Sequence, residues 1–326
     1  MGPDSTLTSH RLRTSVALVL PVVIWIASSD ASRAAAMPRR VHDYIAAFEK
    51  GEDFQPPSTD LIVNGQPEAA SLQVLAQALD SKPAEVREQI VLLLVDLGLR
   101  TDPLTAAGAE VLRHKEIIRI LVEHALQPAD LGREAAMDAL RKLVRSEDLA
   151  PYGDRFTKEL RAAPSQEAFL LVAKAKARSA AGLVETLVHA PAWADVEAAR
   201  VAHAALGDTA TEDEFLARGQ AASTGQDLAR ALAPLALIGT ERSLKAVAQR
   251  LRSPLIITLP GAHDKSVRLD VLDALRYNYP DEPVLYPNNI NDDSDYAAAE
   301  QFCSRKLGVV YSEARPPFVT YVGHPH

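Results

Sequence analysis

From Pro67 onward the chain keeps repeating one instruction: apolar residues at helical spacing over a short stretch, then a break. In Ala84 to Gly98, Val86, Ile90, Leu93, Leu94 and Leu97 fall at i, i+4, i+7, i+8 and i+11, one face of a 3.6-residue helix, while Glu85, Arg87, Glu88 and Gln89 take the other side. The same reading predicts helices over Ile117 to Leu126, Arg133 to Val144, Gln166 to Ala177, Trp193 to Leu206, Glu212 to Ala221, Gln226 to Ile238 and Arg242 to Leu251. Gln127-Pro128, Ala163-Pro164, Ala190-Pro191, Gly207-Asp208 and Gly239-Thr240 separate them as turn signals. Helices of about 10 to 16 residues with short connections lie antiparallel, as hairpins. Composition agrees: Ala and Leu dominate, aromatic residues are 5% and glycines number 15, which favours helix and argues against a β-sandwich or barrel. A content of 47% hydrophobic and 24% charged residues excludes a disordered or collagen-like chain.

A hairpin cannot bury its apolar face alone, so stacked hairpins must reuse a pattern. Val86-Arg87 with Ile90 and Leu93-Leu94, Gly132-Arg133 with Ala136 and Ala139-Leu140, and Val267-Arg268 with Val271 and Ala274-Leu275 share one spacing. Their arginines are separated by one and then three intervals of about 45 residues. In this the sequence resembles HEAT repeats, whose second helix carries a V-R-x-x-A-x-x-A-L type signature in units of about 40 to 47 residues. Units expected near residues 177 and 222 match in part or not at all. The resemblance is to an architecture and spans residues 67–278. It implies an all-α fold, an α-solenoid of HEAT-like helical hairpins, with an irregular helical bundle as the alternative. It also implies that exposed positions on the second helices, Arg87, Arg133 and Arg268 among them, line a partner-binding face. Arginine at that position equally serves structural hydrogen bonds between neighbouring units.

The N-terminus sets a compartment. Arg11 and Arg13 precede an apolar run from Val16 to Ala27, and small residues follow, ending in Ala34-Ala35-Ala36. A basic flank, an apolar core and an Ala-x-Ala site are the parts of a secretory signal, so residues 1–36 are expected to be removed and the chain exported, periplasmic or extracellular. As a helix that run spans about 18 Å against a hydrocarbon core of about 30 Å, too short for stable membrane insertion. Residues 37–66 hold a short helix, Val41 to Lys50, and a Pro-containing linker.

The net charge is −8, and removal of Arg11, Arg13 and Arg33 with Asp4 and Asp30 makes it one unit more negative. An acidic chain repels phosphate backbones, so no nucleic-acid partner is expected. Cys303 is the only thiol, which rules out an internal disulfide, and its helical setting suits a buried small hydrophobe.

After Arg276 the composition changes. Six tyrosines, at 277, 279, 286, 296, 311 and 321, accompany a Pro- and Asn-rich run interrupted by one helix, Tyr296 to Leu307. Residues 279–326 therefore read as a segment capping the last repeat or, alternatively, as a binding surface. Within it, Asn289, Asn291, Asp293, Asp295 and Glu300 have the spacing of an EF-hand calcium loop at positions 1, 3, 5, 7 and 12. Asn replaces the usual Asp at position 1 and Ser294 the turn glycine at position 6. The alternative is a helix N-terminus capped by Asp293 or Ser294.

No other polar motif carries chemistry. His114 and His124 are ten residues apart, and neither H-E-x-x-H nor a cysteine pair occurs. His203 lies among small apolar residues, and Trp193 follows Pro191 as a packing staple. G-x-S-x-G, P-loop and dinucleotide fingerprints are missing from the sequence. Glu212-Asp213-Glu214 fits a helix N-terminus. The sequence thus points to a non-enzymatic scaffold that binds a partner protein or peptide. An enzyme built from scattered carboxylates and a calcium-stabilised module are the alternatives.

Overall fold

The structure, a computed structural model, describes residues 40–51, 61–63, 66–67, 69–98, 115–126, 131–258, 265–286 and 293–312. The fold is all-α. Its helices are α1 (40–49), α2 (Ala69–Ser81), α3 (Ala84–Gly98), α4 (Lys115–Ala125), α5 (Leu131–Leu143), α6 (Ser146–Leu149), α7 (Gly153–Ala162) and α8 (Gln166–Lys174). Then follow α9 (Ala181–Val188), α10 (Glu197–Ala205), α11 (Thr209–Ala221), α12 (Gly225–Ile238), α13 (Glu241–Gln249), α14 (Val267–Arg276) and α15 (Asp293–Leu307). Two minimal antiparallel pairs accompany them: β1 (Ile62–Val63) with β2 (Gln66–Pro67), and β3 (Ile256–Ile257) with β4 (Lys265–Ser266). The proposed signal, residues 1–36, lies outside the described residues.

Side-chain caps fix where many of these helices begin. Ser165 accepts from the Ala168 amide ahead of α8, Asp208 from Thr211 ahead of α11, and Thr224 from Asp227 ahead of α12. Thr240 and Ser243 exchange bonds as a capping box at the start of α13. At the other end of α12, Gly239 takes φ 59, the left-handed conformation that closes a helix at no steric cost. Gly225 answers a different need: a Cβ there would overlap the carbonyl of Ile256, so the β3–β4 pair can lie on α12 only over a glycine.

Consecutive helices pack on one another: α2 on α3, α4 on α5, α7 on α8, α9 on α10, α11 on α12 and α13 on α14. Non-consecutive helices also touch in an unbroken line, α3 on α5, α5 on α8, α8 on α10, α10 on α12 and α12 on α14, and α8 reaches α12 directly. Helices α8 and α12 are largely enclosed members of this line. Ala168 to Lys174 of α8 are buried or nearly so, and α12 buries Leu228, Ala231, Leu232, Pro234, Leu235, Ala236 and Ile238. One continuous apolar core runs from Val41 on α1 to Val309 beyond α15. Each fully buried Leu, Ile or Phe in it contributes about 1.5–3 kcal/mol.

Tyr279, Tyr296 and Tyr311 turn inward. Tyr296 is 1% exposed, and the Arg268 guanidinium stacks on its ring at 4.7 Å. Tyr279 meets Phe302 edge-on at 5.2 Å, and the Tyr311 hydroxyl donates to Ala248 O at 3.0 Å. Helix α15 packs on α13, with Ala299, Phe302 and Cys303 buried. Trp193 is half-buried, with its ring 5.1 Å from Phe169.

Candidate functional site

Two lysines are drawn into the protein where α8 ends. Its sequence runs Phe169-Leu-Leu-Val-Ala173, all on the inside, and then Lys174-Ala175-Lys176. The turn is a Schellman closure: Ala177 N donates to Val172 O and Lys176 N to Ala173 O, both at 3.1 Å. The closing position needs a left-handed residue, usually glycine. Here it is Lys176, φ 51, the one non-glycine residue with positive φ among the described residues. A side chain in that conformation costs about 1–2 kcal/mol.

Both lysines reach other helix ends. Lys174, 3% exposed, donates its Nζ to Tyr277 O just past α14, and Lys176 donates to Ile238 O at the end of α12. Asn278 Nδ2 donates to Ala236 O at 2.7 Å. The carbonyl ends of α8, α12 and α14 thus converge, and the donors meet carbonyls that no helix can satisfy. Burial pushes the Lys174 ammonium down to about 7, with Lys176 adding to the effect and Glu147 opposing it. Burial likewise brings Lys176 down to about 8 against the pull of Glu212.

A cavity of about 340 Å³ opens beside Lys176, lined by Ser146, Glu147, Asn278, Tyr279 and Leu244 among others. Burial raises the Tyr279 phenol above its ordinary value. The cavity therefore offers an amine, a hydroxyl, an amide, a phenol and a single carboxylate.

A second, more open cavity of about 670 Å³ lies against α15, lined by Arg252, Glu300, Gln301, Ser304, Arg305 and Tyr311 among others. Its carboxylate is engaged. Arg252 donates to Glu300 through Nε at 3.2 Å and Nη2 at 3.0 Å, and its guanidinium stacks on Tyr311 at 4.8 Å. Neither cavity brings two carboxylates together.

The arginines picked out by the repeat pattern do not form one outward face. Arg268 is 2% exposed, with Nε 3.4 Å from the Ser266 hydroxyl and its guanidinium over Tyr296, so it is turned into the protein, away from any partner. Arg133 donates to Ala125 O at 3.1 Å and to Glu159 at 3.3 Å, tying the end of α4 to α7. Arg87 is half-buried on α3.

Of the calcium-loop positions, Asn289 and Asn291 lie outside the described residues. Helix α15 already begins at Asp293, so Asp293 and Asp295 stand on its first turn where an EF-hand keeps a loop. Glu300 sits farther along the same helix, 5% exposed and paired with Arg252. Among the described residues no three His, Cys, Asp or Glu side chains form a group able to hold a metal ion.

His203 is more engaged than its apolar neighbours suggest. Its Nε2 donates to Glu185 Oε2 at 2.5 Å, its Nδ1 lies 3.5 Å from Asp208, and Glu185 also accepts from His189 at 3.2 Å. Glu185 is held below the usual carboxylate range by His203 first and His189 second. Comparison with known proteins finds no match among family models, curated proteins or solved structures.

Proposed function

We propose that the protein is an exported, non-enzymatic interaction scaffold. In this reading residues 67–278 form a HEAT-like solenoid of helical hairpins, residues 279–326 cap it, and a partner protein or peptide docks on the helices. The observation that carries the reading is the unbroken line of non-consecutive helices in contact from α3 to α14, which is consistent with stacked hairpins. Helices α8 and α12 are spent on the interior, so partner contacts fall to helices with open faces. Helix α3 keeps Leu92 at 48% exposure, and α5 keeps Glu134 and Lys142 outward. No helix among the described residues is long and apolar enough to cross a membrane.

A photo-reactive amino acid placed at Leu92, in the full chain expressed in its own cells, tests the docking. One dominant cross-linked polypeptide, absent when the probe sits at Gln220 on α11, is the expected result. Equal or empty cross-linking at both positions removes the reading. Export has its own check: the N-terminus of the exported protein is expected to be Met37, and recovery of an uncut chain in the cytoplasm would refute it.

A further inference from the structure

We propose that the cavity beside Lys176 takes a small uncharged hydroxy-aldehyde or hydroxy-ketone and holds it as an imine on Lys176 Nζ. This inference stands apart from the scaffold reading. Its first support is the backbone. The turn after α8 needs a left-handed residue, and glycine meets that need without strain, yet the chain places a lysine at φ 51. What the lysine adds is its amine, which the hydrogen bond to Ile238 O fixes at the cavity wall.

The second support is how readily that amine gives up its proton. A neutral amine has two N–H groups and a lone pair; one N–H goes to Ile238 O, which leaves the lone pair for a nucleophilic role. Burial favours the neutral form, so near neutral pH the group carries roughly a hundredfold more free amine than an exposed lysine. The third support is the lining. Ser146, Asn278 and Tyr279 can hydrogen-bond hydroxyl groups, whereas Glu147 disfavours an anionic ligand. At about 340 Å³ the cavity is at the small end of ligand sites, suited to a compound of few carbons.

The step balances without an oxidant or reductant. The Nζ lone pair forms a bond to the carbonyl carbon, and the carbonyl π pair moves to oxygen, which takes up a proton. That first proton comes from the amine; the carbinolamine hydroxyl then takes a second proton from solvent and leaves as water while the nitrogen lone pair forms C=N, giving a protonated imine. One water is released for each carbonyl consumed. A protonated imine retains one N–H and can keep the bond to Ile238 O.

The test is reductive trapping on the full chain, with glycolaldehyde as probe and cyanoborohydride as trap at neutral pH, read by peptide mass mapping. Lys176 is expected to be labelled at least tenfold faster than the exposed Lys158 and Lys245, with saturation in glycolaldehyde. Labelling at Lys176 no faster than at those two, or rising linearly without saturation, overturns the proposal. Lys176→Gly suits the turn while removing the amine, and should abolish the fast site. Ser146→Leu fills the cavity but leaves Lys176 in place; fast labelling that persists in this variant, with its circular dichroism unchanged, equally overturns the proposal.

Discussion

Lys174 shows how one side chain can shape the pH dependence of the whole fold. Its folded value, about 7, lies well below the ordinary lysine range near 10.4. Between the two the unfolded chain holds a proton that the folded chain has released, so stability rises with pH across that window and the burial penalty is fully felt below it. Lys174→Met is expected to flatten this alkaline rise, which urea melts at about pH 7.5 and about pH 9.5 will measure. Asp208 works in the opposite direction. The Thr211 hydroxyl and amide hold its carboxyl below the usual range, so its contribution is present above the ordinary carboxylate values and is lost as pH falls through the lowered one. Asp208→Ala is expected to cost about 1 kcal/mol at neutral pH and less in acid, as read from denaturant melts. Some residue-scale features were legible. Cys303 is a buried helix residue and Trp193 packs on Phe169, as small size and a position after Pro191 indicate. The lysine pair was not legible, because two lysines closing an apolar helix look like ordinary dipole partners. Nothing in the sequence says that Tyr277 O and Ile238 O lie within their reach.

At the scale of elements, periodicity read well and boundaries read unevenly. The helix expected over Ala84 to Gly98 is α3 with the same ends, and Gln226 to Ile238 is α12 within one residue. Trp193 to Leu206 overran, since the chain turns from Pro191 to Asp195 and α10 starts only at Glu197. Helices α7 and α9 escaped the pattern, because Gly153 opens one and Gly182 sits in the first turn of the other, where glycine reads as a break. The β3–β4 pair also lay beyond reach, since its docking depends on Gly225 and not on any strand signal. Gly225→Ala is expected to destabilise the protein by about 1–3 kcal/mol, because the overlap is with backbone that cannot rotate away. A shifted urea midpoint with an unchanged slope is the expected signature, and a midpoint equal to that of the parent would contradict the close approach.

For the whole molecule, the repeat spacing at Arg87, Arg133 and Arg268 marked α3, α5 and α14, of which α3 packs on α5 while α8, α10 and α12 come between α5 and α14. It did not reveal how far these helices are buried, which is why Arg268, read as a surface position, lies against Tyr296 inside. Burial of a helix is set by what curls over it, a property of several units together. A core continuous from Val41 to Val309 predicts one cooperative transition in place of the graded melting of a loosely coupled array. Far-ultraviolet circular dichroism and the fluorescence of Trp193, measured on residues 37–326, should give coincident thermal midpoints. Separated midpoints would show that the two ends fold independently.

The bond from Lys174 to Tyr277 O joins the end of α8 to the end of α14 across the helices between them. A row of hairpins that meet only their neighbours can gain or lose a unit by duplication or deletion and simply become longer or shorter. A row whose sixth later helix must return to its starting point cannot do so. Adding or deleting a pair of helices between α8 and α14 would part Lys174 from Tyr277 O, so length variation among descendants of this gene is expected before α8 or after α14.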